Sequence, residues 1–363
     1  PIGISFFTFQ LIAFLVDSFR GETKNYDIID YLLFITFFPQ LIVGPIIHHA
    51  EIVPQFEDKK NHRLNFDNVA LGIFIFSIGC FKKMMLADPL TTDAQGFFNN
   101  VNNHLPFIQS WFHSIEYTVS YYFDLSGYAD MAIGLGKMFG FTFLENFDHP
   151  YIATSVREFW RRWHMSLGTF FRDYVYIPLG GNRKGRARAF LNLFIVWALT
   201  GLWHGASWNF VLWGLYYFVL LMLDRLFWQK LLDKLPKAVS AILSHITLPL
   251  AVLFGWVLFK FTSLPLAAAV VRGMFCGNGN AFTSFTVTAE IKSHMYLLIF
   301  CAAAATPVFS YLAKRWERAG EGSALAQKSY SVAAYGVAPV LLLLLSTACL
   351  VGNSFNPFLY FRF

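Results

Sequence analysis

Apolar runs of roughly membrane-spanning length recur along the whole of this 363-residue chain. A helix that crosses a bilayer needs about 20 mostly apolar residues, and its backbone polar groups must be satisfied within the protein. Several runs are shorter than that or are interrupted, so we expect broken and re-entrant helices as well as full crossings. The runs are residues 2–16, 31–47, 69–86, 107–123, 190–203, 207–223, 242–261, 295–312 and 332–351.

The composition favours a polytopic membrane protein over a soluble domain. Hydrophobic residues make up 56% of the chain and charged residues 14%, whereas soluble domains average about 25% charged residues. We therefore predict an all-α bundle that forms one domain over residues 1–363. The chain begins at Pro1 inside an apolar run, without the features of a signal peptide. We expect it to be an N-terminally truncated part of a longer protein.

The loops between the apolar runs alternate in charge. Basic residues concentrate in loops 57–63, 157–188, 225–237 and 314–328, whereas loops 87–106 and 262–294 contain few. The 157–188 loop has eight Lys or Arg and two acidic residues, so its excess of six equals that of the whole chain. Such a block can bind nucleotides, anionic lipids or nucleic acid, but it commonly keeps a loop cytoplasmic. We predict that the basic loops are cytoplasmic and that the other two lie outside.

Two apolar segments contain features that interrupt a helix. Pro39 and Pro45 each remove a backbone donor from segment 31–47, so that segment should kink or unwind. The two arms of hairpin 190–223 are short for full crossings, which places its tip, with His204, at membrane depth. A histidine is costly at that depth and is therefore a functional candidate.

Two histidines lie directly after tryptophans. His164 follows Trp163 in EFWRRWHMSL (158–167), and His204 follows Trp203 in TGLWHG (200–205). Imidazole can take and return a proton near neutral pH. The ordinary alternative for His204 is a core histidine bonded to a neighbouring helix. The flanking tryptophans, the short hairpin and the presence of two such histidines favour proton-transfer chemistry within the bilayer.

The segment around His164 has the pattern of an amphipathic interfacial helix. At helical spacing, Trp160, Trp163, Leu167 and Phe171 share one face, and the arginines lie largely on another. Anchoring at the headgroups explains most of this pattern. It does not explain His164, which follows Trp163 on the apolar side.

The remaining charged candidates allow two interpretations each. Asp124 and Asp130 lie in an aromatic-rich run, where they either orient a catalytic imidazole or pair with Lys or Arg, and we favour pairing. Lys82 and Lys83 fit snorkelling toward the membrane surface as well as contact with an anion.

The sequence contains no recognisable metal or cofactor motif. The His48–His49 doublet lacks a spaced partner, so we expect no metal site. The four cysteines, at positions 80, 276, 301 and 349, form no CxxC and predict neither a disulfide framework nor a metal centre. A phosphate-binding glycine loop and a G-x-S-x-G elbow are both absent from the sequence. The simplest mechanism is a histidine that acts as a base on a substrate hydroxyl.

Nine short motifs follow one another along nearly the whole chain. They are PIGISFFTFQ (1–10), FPQ (38–40), GPI (44–46), FKK (81–83), DLSGYADMA (124–132), EFWRRWHMSL (158–167), RDY to LGGNR (172–183), LWHG (202–205) and PFLYFRF (357–363). Together they resemble the membrane-bound O-acyltransferase family, in particular its alginate and peptidoglycan O-acetylation branch. The resemblance implies a bundle of short, broken and re-entrant helices around a central funnel.

The resemblance also implies an activity and its residues. His204 matches the essential histidine of the family and is our candidate base, and His164 matches a supporting histidine. The donor would be a cytoplasmic thioester, acetyl-CoA, with no bound cofactor. The acetyl group would reach a polysaccharide outside the bacterial inner membrane through a periplasmic SGNH-hydrolase-like partner, with no role for nucleic acid. Expected substrate contacts are Trp163, Trp203, Asp124, Asp130 and Arg183, the last toward the coenzyme A phosphates.

Three alternatives stay open. D-alanyl or other acyl transfer to a different acceptor uses the same chemistry. A carrier of an acylated substrate would also have broken helices at membrane depth, although we find no inverted repeat. A scaffold that only recruits a periplasmic enzyme would leave both histidines without a role.

Overall fold

The computed structural model describes residues 4–23, 26–40, 44–61, 63–102, 105–275, 281–319 and 323–352, and these are predominantly helical. The helices are α1 (Ile4–Arg20), α2 (Ile28–Thr36), α3 (His49–Glu57), α4 (Phe66–Phe81), α5 (Asp88–Asn99), α6 (Phe107–Met138), α7 (Val156–Arg162), α8 (Met165–Phe171), α9 (Arg186–His204), α10 (Trp208–Leu223), α11 (Gln229–Leu232), α12 (Lys237–Lys260), α13 (Leu264–Met274), α14 (Phe285–Ala304), α15 (Val308–Ala319), α16 (Ala324–Val332) and α17 (Ala338–Gly352). Short π-helical segments follow α4, α8, α10 and α16, at Lys82–Ala87, Arg172–Tyr176, Asp224–Trp228 and Ala333–Val337.

Within the described residues, five helices are long and apolar enough to cross a membrane. They are Phe66–Asn99, Trp208–Leu232, Lys237–Lys260, Phe285–Ala304 and Ala324–Gly352. Three of them run through a π-helical segment, so that α4 continues into α5, α10 into α11 and α16 into α17. The all-α, polytopic fold is therefore confirmed. The single domain stays a prediction, although one core cluster takes its buried residues from Phe6 to Ala305.

The prediction that segment 31–47 is interrupted is confirmed. Helix α2 ends at Thr36, and Pro39 lies in a short 3-10 turn, Phe38–Gln40. Residues 41–43 lie outside the described part. The chain is again non-helical at Pro45, and α3 begins at His49. Because proline lacks the amide hydrogen that an α-helix needs, the helix stops where the sequence placed its two prolines.

Two further runs have different bounds from those predicted. The run 295–312 is split, because α14 ends at Ala304 and α15 begins after Pro307, at Val308. The run 107–123 is extended, because α6 continues for 32 residues to Met138. This extension places Asp124 and Asp130 inside a helix.

Glycines allow the central helices to approach closely. A Cβ added at Gly79 of α4 would lie 2.5 Å from the carbonyl oxygen of Gly127 on α6, and one added at Gly72 would lie 2.6 Å from that of Gly134. In the same way Gly201 of α9 faces the backbone of Phe210 on α10. Small residues are the usual means of bringing membrane helices together.

Helices α9 and α10 form the predicted hairpin. The ring of Phe194 lies 5.5 Å from that of Phe218, and the Arg225 guanidinium lies 6.0 Å above the ring of Phe190. The two helices are therefore antiparallel, with Arg225 beside the first turns of α9 and His204 at the opposite end. The depth of the hairpin tip in a bilayer stays a prediction.

Candidate active site

His204 is the last residue of α9, at the tip of the hairpin. The helix ends there because Gly205 has a φ of +156°, and the Phe210 ring lies 2.7 Å from the place where a Gly205 Cβ would be. The imidazole is surrounded by aromatic rings. Its centroid lies 4.6 Å from that of Trp203 and 5.0 Å from those of Trp213 and Phe259.

His164 lies in a break between two short helices rather than inside one. It has φ +48° and ψ +54°, the left-handed region, which separates α7 from α8. Asn146 holds the break: its carbonyl oxygen accepts from the Met165 amide at 3.0 Å, and its Oδ1 accepts from the Ser166 amide at 3.0 Å. The prediction of one continuous interfacial helix is wrong at this point. Its two faces are confirmed, since Trp163 and Leu167 are buried and Arg161 is exposed.

The imidazole of His164 is buried, and neither of its nitrogens has a hydrogen-bond partner among the described residues. A buried polar group without a partner carries a free-energy cost of about 1–3 kcal/mol. Such a group is therefore expected where a ligand completes the site.

The indole of Trp203 lies between the two histidines. Its ring centroid is 6.3 Å from that of His164, edge to face, and 4.6 Å from that of His204. Phe6 of α1 packs against both Trp203 and His164. The two imidazoles, 40 residues apart in sequence, therefore belong to one aromatic cluster.

A cavity of about 940 Å³ has His164 in its wall. It follows α9 along Leu193, Val196 and Thr200. Because a helix rises about 1.5 Å per residue, His204 lies about 6 Å beyond Thr200 along this helix. Neither His204 nor Trp203 is part of the wall. His204 is instead next to the exposed tip of the hairpin, where Trp208 is 72% exposed.

Four arginines also line the cavity: Arg157, Arg161, Arg172 and Arg225. Arg172 pairs with Asp173, and the neighbouring Arg162 pairs with Asp148 and Glu158. Among the described residues, Arg157 and Arg161 form no ion pair. Together with Arg225 they outnumber the two carboxylates that also line the cavity, Glu51 and Glu145, so the wall keeps positive charge that an anionic ligand can neutralise.

Arg183, the arginine predicted to contact the donor, does not line this cavity. It is an exposed residue in the turn before α9, and its amide donates to the Gly180 carbonyl. The same basic loop supplies Arg157, Arg161 and Arg172 instead, which the sequence could not single out among eight basic residues.

The two carboxylates of the 124–132 motif pair with lysines, as favoured. Lys83 Nζ lies 2.6 Å from both Asp88 Oδ1 and Asp124 Oδ1, and all three side chains are buried. Lys82 Nζ lies 2.6 Å from Asp130 Oδ2. The snorkelling interpretation of Lys83 is therefore wrong. Neither Asp124 nor Asp130 lines the cavity.

Trp163 does line the cavity, yet most of its ring is buried in the aromatic core. Its centroid lies 4.8 Å from that of Trp256 and 5.8 Å from that of Tyr121. Only an edge of the ring is left to contact a ligand, since the side chain as a whole is 4% exposed.

The His48–His49 doublet has a carboxylate neighbour that sequence spacing does not reveal, and the expectation of no metal there stays a prediction. Oδ2 of Asp17, on α1, accepts hydrogen bonds from His49 Nε2 at 3.0 Å and from the Tyr174 hydroxyl at 2.7 Å. His48 Nε2 lies 2.7 Å from the same oxygen and is hydrogen-bonded to the Tyr174 hydroxyl. Burial and then the neighbouring His49 lower the pKa of His48, which lies outside the five candidate spans. No sequence spacing points to this contact, because Asp17 belongs to a different helix.

Comparison with known proteins places these features in a family. The model of the membrane-bound O-acyltransferase family matches residues 4–264. A peptidoglycan O-acetyltransferase of Helicobacter pylori is 41% identical over 77% of the chain, which spans 57% of that protein. A "probable alginate O-acetylase AlgI" of Azotobacter vinelandii is 36% identical over the whole chain, which spans 76% of it. A teichoic acid D-alanyltransferase of Bacillus subtilis is 29% identical over 65% of the chain and 62% of its own length.

Proposed function

The chain belongs to the membrane-bound O-acyltransferase family, and we propose that it transfers an acetyl group from acetyl-CoA across a bacterial inner membrane for O-acetylation of an extracytoplasmic polysaccharide. The observation that carries this proposal is the arginine-lined cavity with the unpartnered His164 in its wall. That arrangement suits a donor with an anionic head and a reactive end that must reach a polar group inside an apolar protein.

The donor enters from the basic side of the protein. Arg157 and Arg161 lie in the wall and have no acidic partner within the described residues, so they can neutralise the phosphates of coenzyme A. Arg225 is at the same end of the α9–α10 hairpin, away from His204. This end is formed by the loops that the distribution of charge predicts to be cytoplasmic.

The reaction needs a base and a polar environment for an oxyanion. His204 removes the proton from the acceptor hydroxyl as its oxygen attacks the thioester carbon. The carbon–sulfur bond then breaks, and the proton passes to the departing thiolate. His164, on the cavity side of Trp203, donates to the developing oxyanion or orients the thioester, a role that its two free nitrogens support.

The acceptor reaches His204 from the other side. His204 lies outside the cavity wall but beside the exposed hairpin tip at Ala206 and Trp208. Two access routes that meet at one aromatic cluster suit transfer between compartments. The acceptor on that side is the polysaccharide or a periplasmic SGNH-hydrolase-like partner that passes the acetyl group on to it.

D-alanyl transfer is the second candidate. Relatives with that name are 29% and 25% identical to the chain, whereas those named for O-acetylation range from 35% to 42%. The difference favours acetyl as the transferred group. A carrier without chemistry would give His164 and His204 no reason to share one cluster.

The test compares the full-length protein with two single variants in detergent, using radiolabelled acetyl-CoA and an acceptor polysaccharide. His204→Ala should lower acetyl transfer by about 10²- to 10⁴-fold, the usual contribution of a general base. His245→Ala is the matched control, because His245 is exposed on α12 and bonds only to its own helix. Equal turnover by wild type and His204→Ala would remove His204 from the mechanism.

A further inference from the structure

A second cluster of titratable side chains lies on the opposite part of the molecule, where α5, α6 and α14 meet. His294 Nδ1 lies 2.7 Å from Glu116 Oε1 and 3.3 Å from Asp93 Oδ2. One ligand atom from each residue lies within 4.8 Å of the others. These three residues come from three helices and from sequence positions up to 201 apart, so no sequence motif predicts them.

Two more residues hold this cluster in place. The second oxygen of Glu116, Oε2, accepts from His113 Nδ1 at 2.8 Å, and His113 Nε2 faces Glu290 Oε2 at 3.5 Å. Glu116 and His113 are buried. A carboxylate whose outer oxygen is fixed by a histidine has the second-sphere support that is typical of metal ligands.

The charges in the cluster are unbalanced. Three carboxylates, Asp93, Glu116 and Glu290, face two imidazoles, and in the described part of the chain their ion pairs are all with histidine. The cluster therefore has more carboxylates than imidazoles around a fully buried Glu116. Burying such charge is costly unless a cation compensates for it.

The distances suit a small cation with nitrogen and oxygen ligands. Ligands held about 2.0–2.1 Å from a tetrahedral ion are separated from each other by about 3.3 Å. The contact of His294 Nδ1 with Asp93 Oδ2, at 3.3 Å, matches that separation. The contact with Glu116 Oε1, at 2.7 Å, is a hydrogen bond that would lengthen by about 0.6 Å when an ion enters. Asp93 is 38% exposed at its side chain, which provides a path of entry.

We propose that Asp93, Glu116 and His294 bind a divalent transition-metal cation of the Zn²⁺ class, with water at the fourth position. The Asp17 cluster is a poorer site, because its donors converge on one carboxylate oxygen and Arg20 Nη1 lies 3.7 Å from the other. That cluster already has its charge compensated.

The ion would fasten α14 to the core of the protein. Only 11% of the apolar window of α14 is buried, and its core contacts include Cys301 and the ring of Phe300 against Phe81. The ion would add a polar link to these contacts. Asp93 and His294 lie in the candidate spans Phe66–Asn99 and Phe285–Ala304, near the ends that join the loops which the charge pattern predicts to lie outside. The site thus belongs to the face where an acceptor would arrive, and it does not depend on the identity of the acyl donor.

The test measures Zn²⁺ binding to the full-length protein in detergent, after chelation, removal of any affinity tag and dialysis against Zn²⁺ with excess Mg²⁺. We expect one Zn²⁺ per chain in wild type and at least a tenfold loss of affinity in His294→Gln and in Asp93→Asn. Asp93→Asn serves as the second variant because the partly exposed side chain makes a folding defect least expected. Size-exclusion profiles show that each variant is folded.

Two control variants make the result specific. His245→Gln removes an exposed histidine elsewhere, and His48→Gln removes a ligand of the Asp17 cluster. Both should keep the wild-type stoichiometry, and Co²⁺ should give the intense visible absorption of a four-coordinate site in all but the cluster variants. Failure of wild type to bind more Zn²⁺ than His294→Gln, or loss of binding in His48→Gln alone, would overturn the proposal.

Discussion

His164 holds a backbone conformation that residues other than glycine seldom adopt. Among the described non-glycine residues, only His149 and His164 have a positive φ, at 44° and 48°. The left-handed region costs an L-residue about 1–2 kcal/mol. His164 keeps this strained backbone in a cavity wall, and neither of its ring nitrogens has a hydrogen-bond partner among the described residues. Strain of this kind is typical of residues whose side chains have a functional role.

Replacing this side chain should therefore separate stability from activity. His164→Gly should keep or slightly raise the midpoint of thermal unfolding, because glycine adopts a positive φ without strain. It should still lower acetyl transfer by tenfold or more. His164→Val should lower the midpoint as well, since a β-branched residue is a genuine outlier at this φ. The measurements are thermal unfolding in detergent and transfer assays on the same samples.

His149→Gly is the matched control for this prediction. His149 has nearly the same φ but does not line the cavity. Its glycine variant should resemble His164→Gly in stability and wild type in activity. If both glycine variants lost activity to the same extent, backbone freedom rather than the imidazole would account for the effect.

At the residue scale, the sequence predicted a functional residue where a reactive side chain stands in an unusual local context. His164 and His204 were predicted because a tryptophan precedes each in an apolar chain, and the structure brings them to one indole. Arg157 and Arg161 were not distinguished from Arg183, because all belong to one basic segment and only the fold decides which arginines face the cavity. Asp17 and Glu116 were missed because His49 and His294, which contact them, come from other helices.

At the scale of the helices, breaks in the structure follow prolines and unusual turns. The sequence predicted the interruption at Pro39 and Pro45, since proline cannot donate the hydrogen bond that the helix needs. It did not predict the break at His164, because apolar spacing continues through that residue. The turn is held by Asn146, 18 residues earlier, a contact that periodicity does not contain.

The contact between α6 and the π-helical segment Lys82–Ala87 depends on a buried ion triad. Lys83→Met should leave Asp88 and Asp124 without their cation, which typically costs 3–5 kcal/mol for a broken buried pair. We expect loss of folded protein or a large fall in the midpoint of thermal unfolding. Lys82→Met should have a smaller effect, because the Lys82–Asp130 pair is 21% and 25% exposed.

The comparison of these two lysine variants also addresses function. Asp124 and Asp130 do not line the cavity, so any loss of transfer in Lys82→Met should parallel the amount of folded protein. A Lys82→Met protein with wild-type stability but no transfer would instead place this pair in the chemistry.

At the scale of the whole molecule, the cavity and the exposed hairpin tip both lead to one aromatic cluster. The basic cavity leads along α9 to His164, and the hairpin tip exposes the region beside His204. The composition and the charge of the loops were enough to predict an all-α membrane protein with a basic face. The cavity itself was not predictable, since its wall combines residues from α1, the α7–α8 segment and the α9–α10 hairpin.

The sidedness of the reaction tests the central claim most directly. Wild-type protein is reconstituted in proteoliposomes of determined orientation, and labelled acetyl-CoA is supplied on one face with acceptor on the other. Transfer should occur only when acetyl-CoA is on the face of loop 157–188. Arg157→Gln with Arg161→Gln should raise the KM for the donor, and Arg183→Gln should not. Transfer from the face of loop 87–106 alone, or a KM that depends on Arg183 rather than on Arg157 and Arg161, would contradict this account.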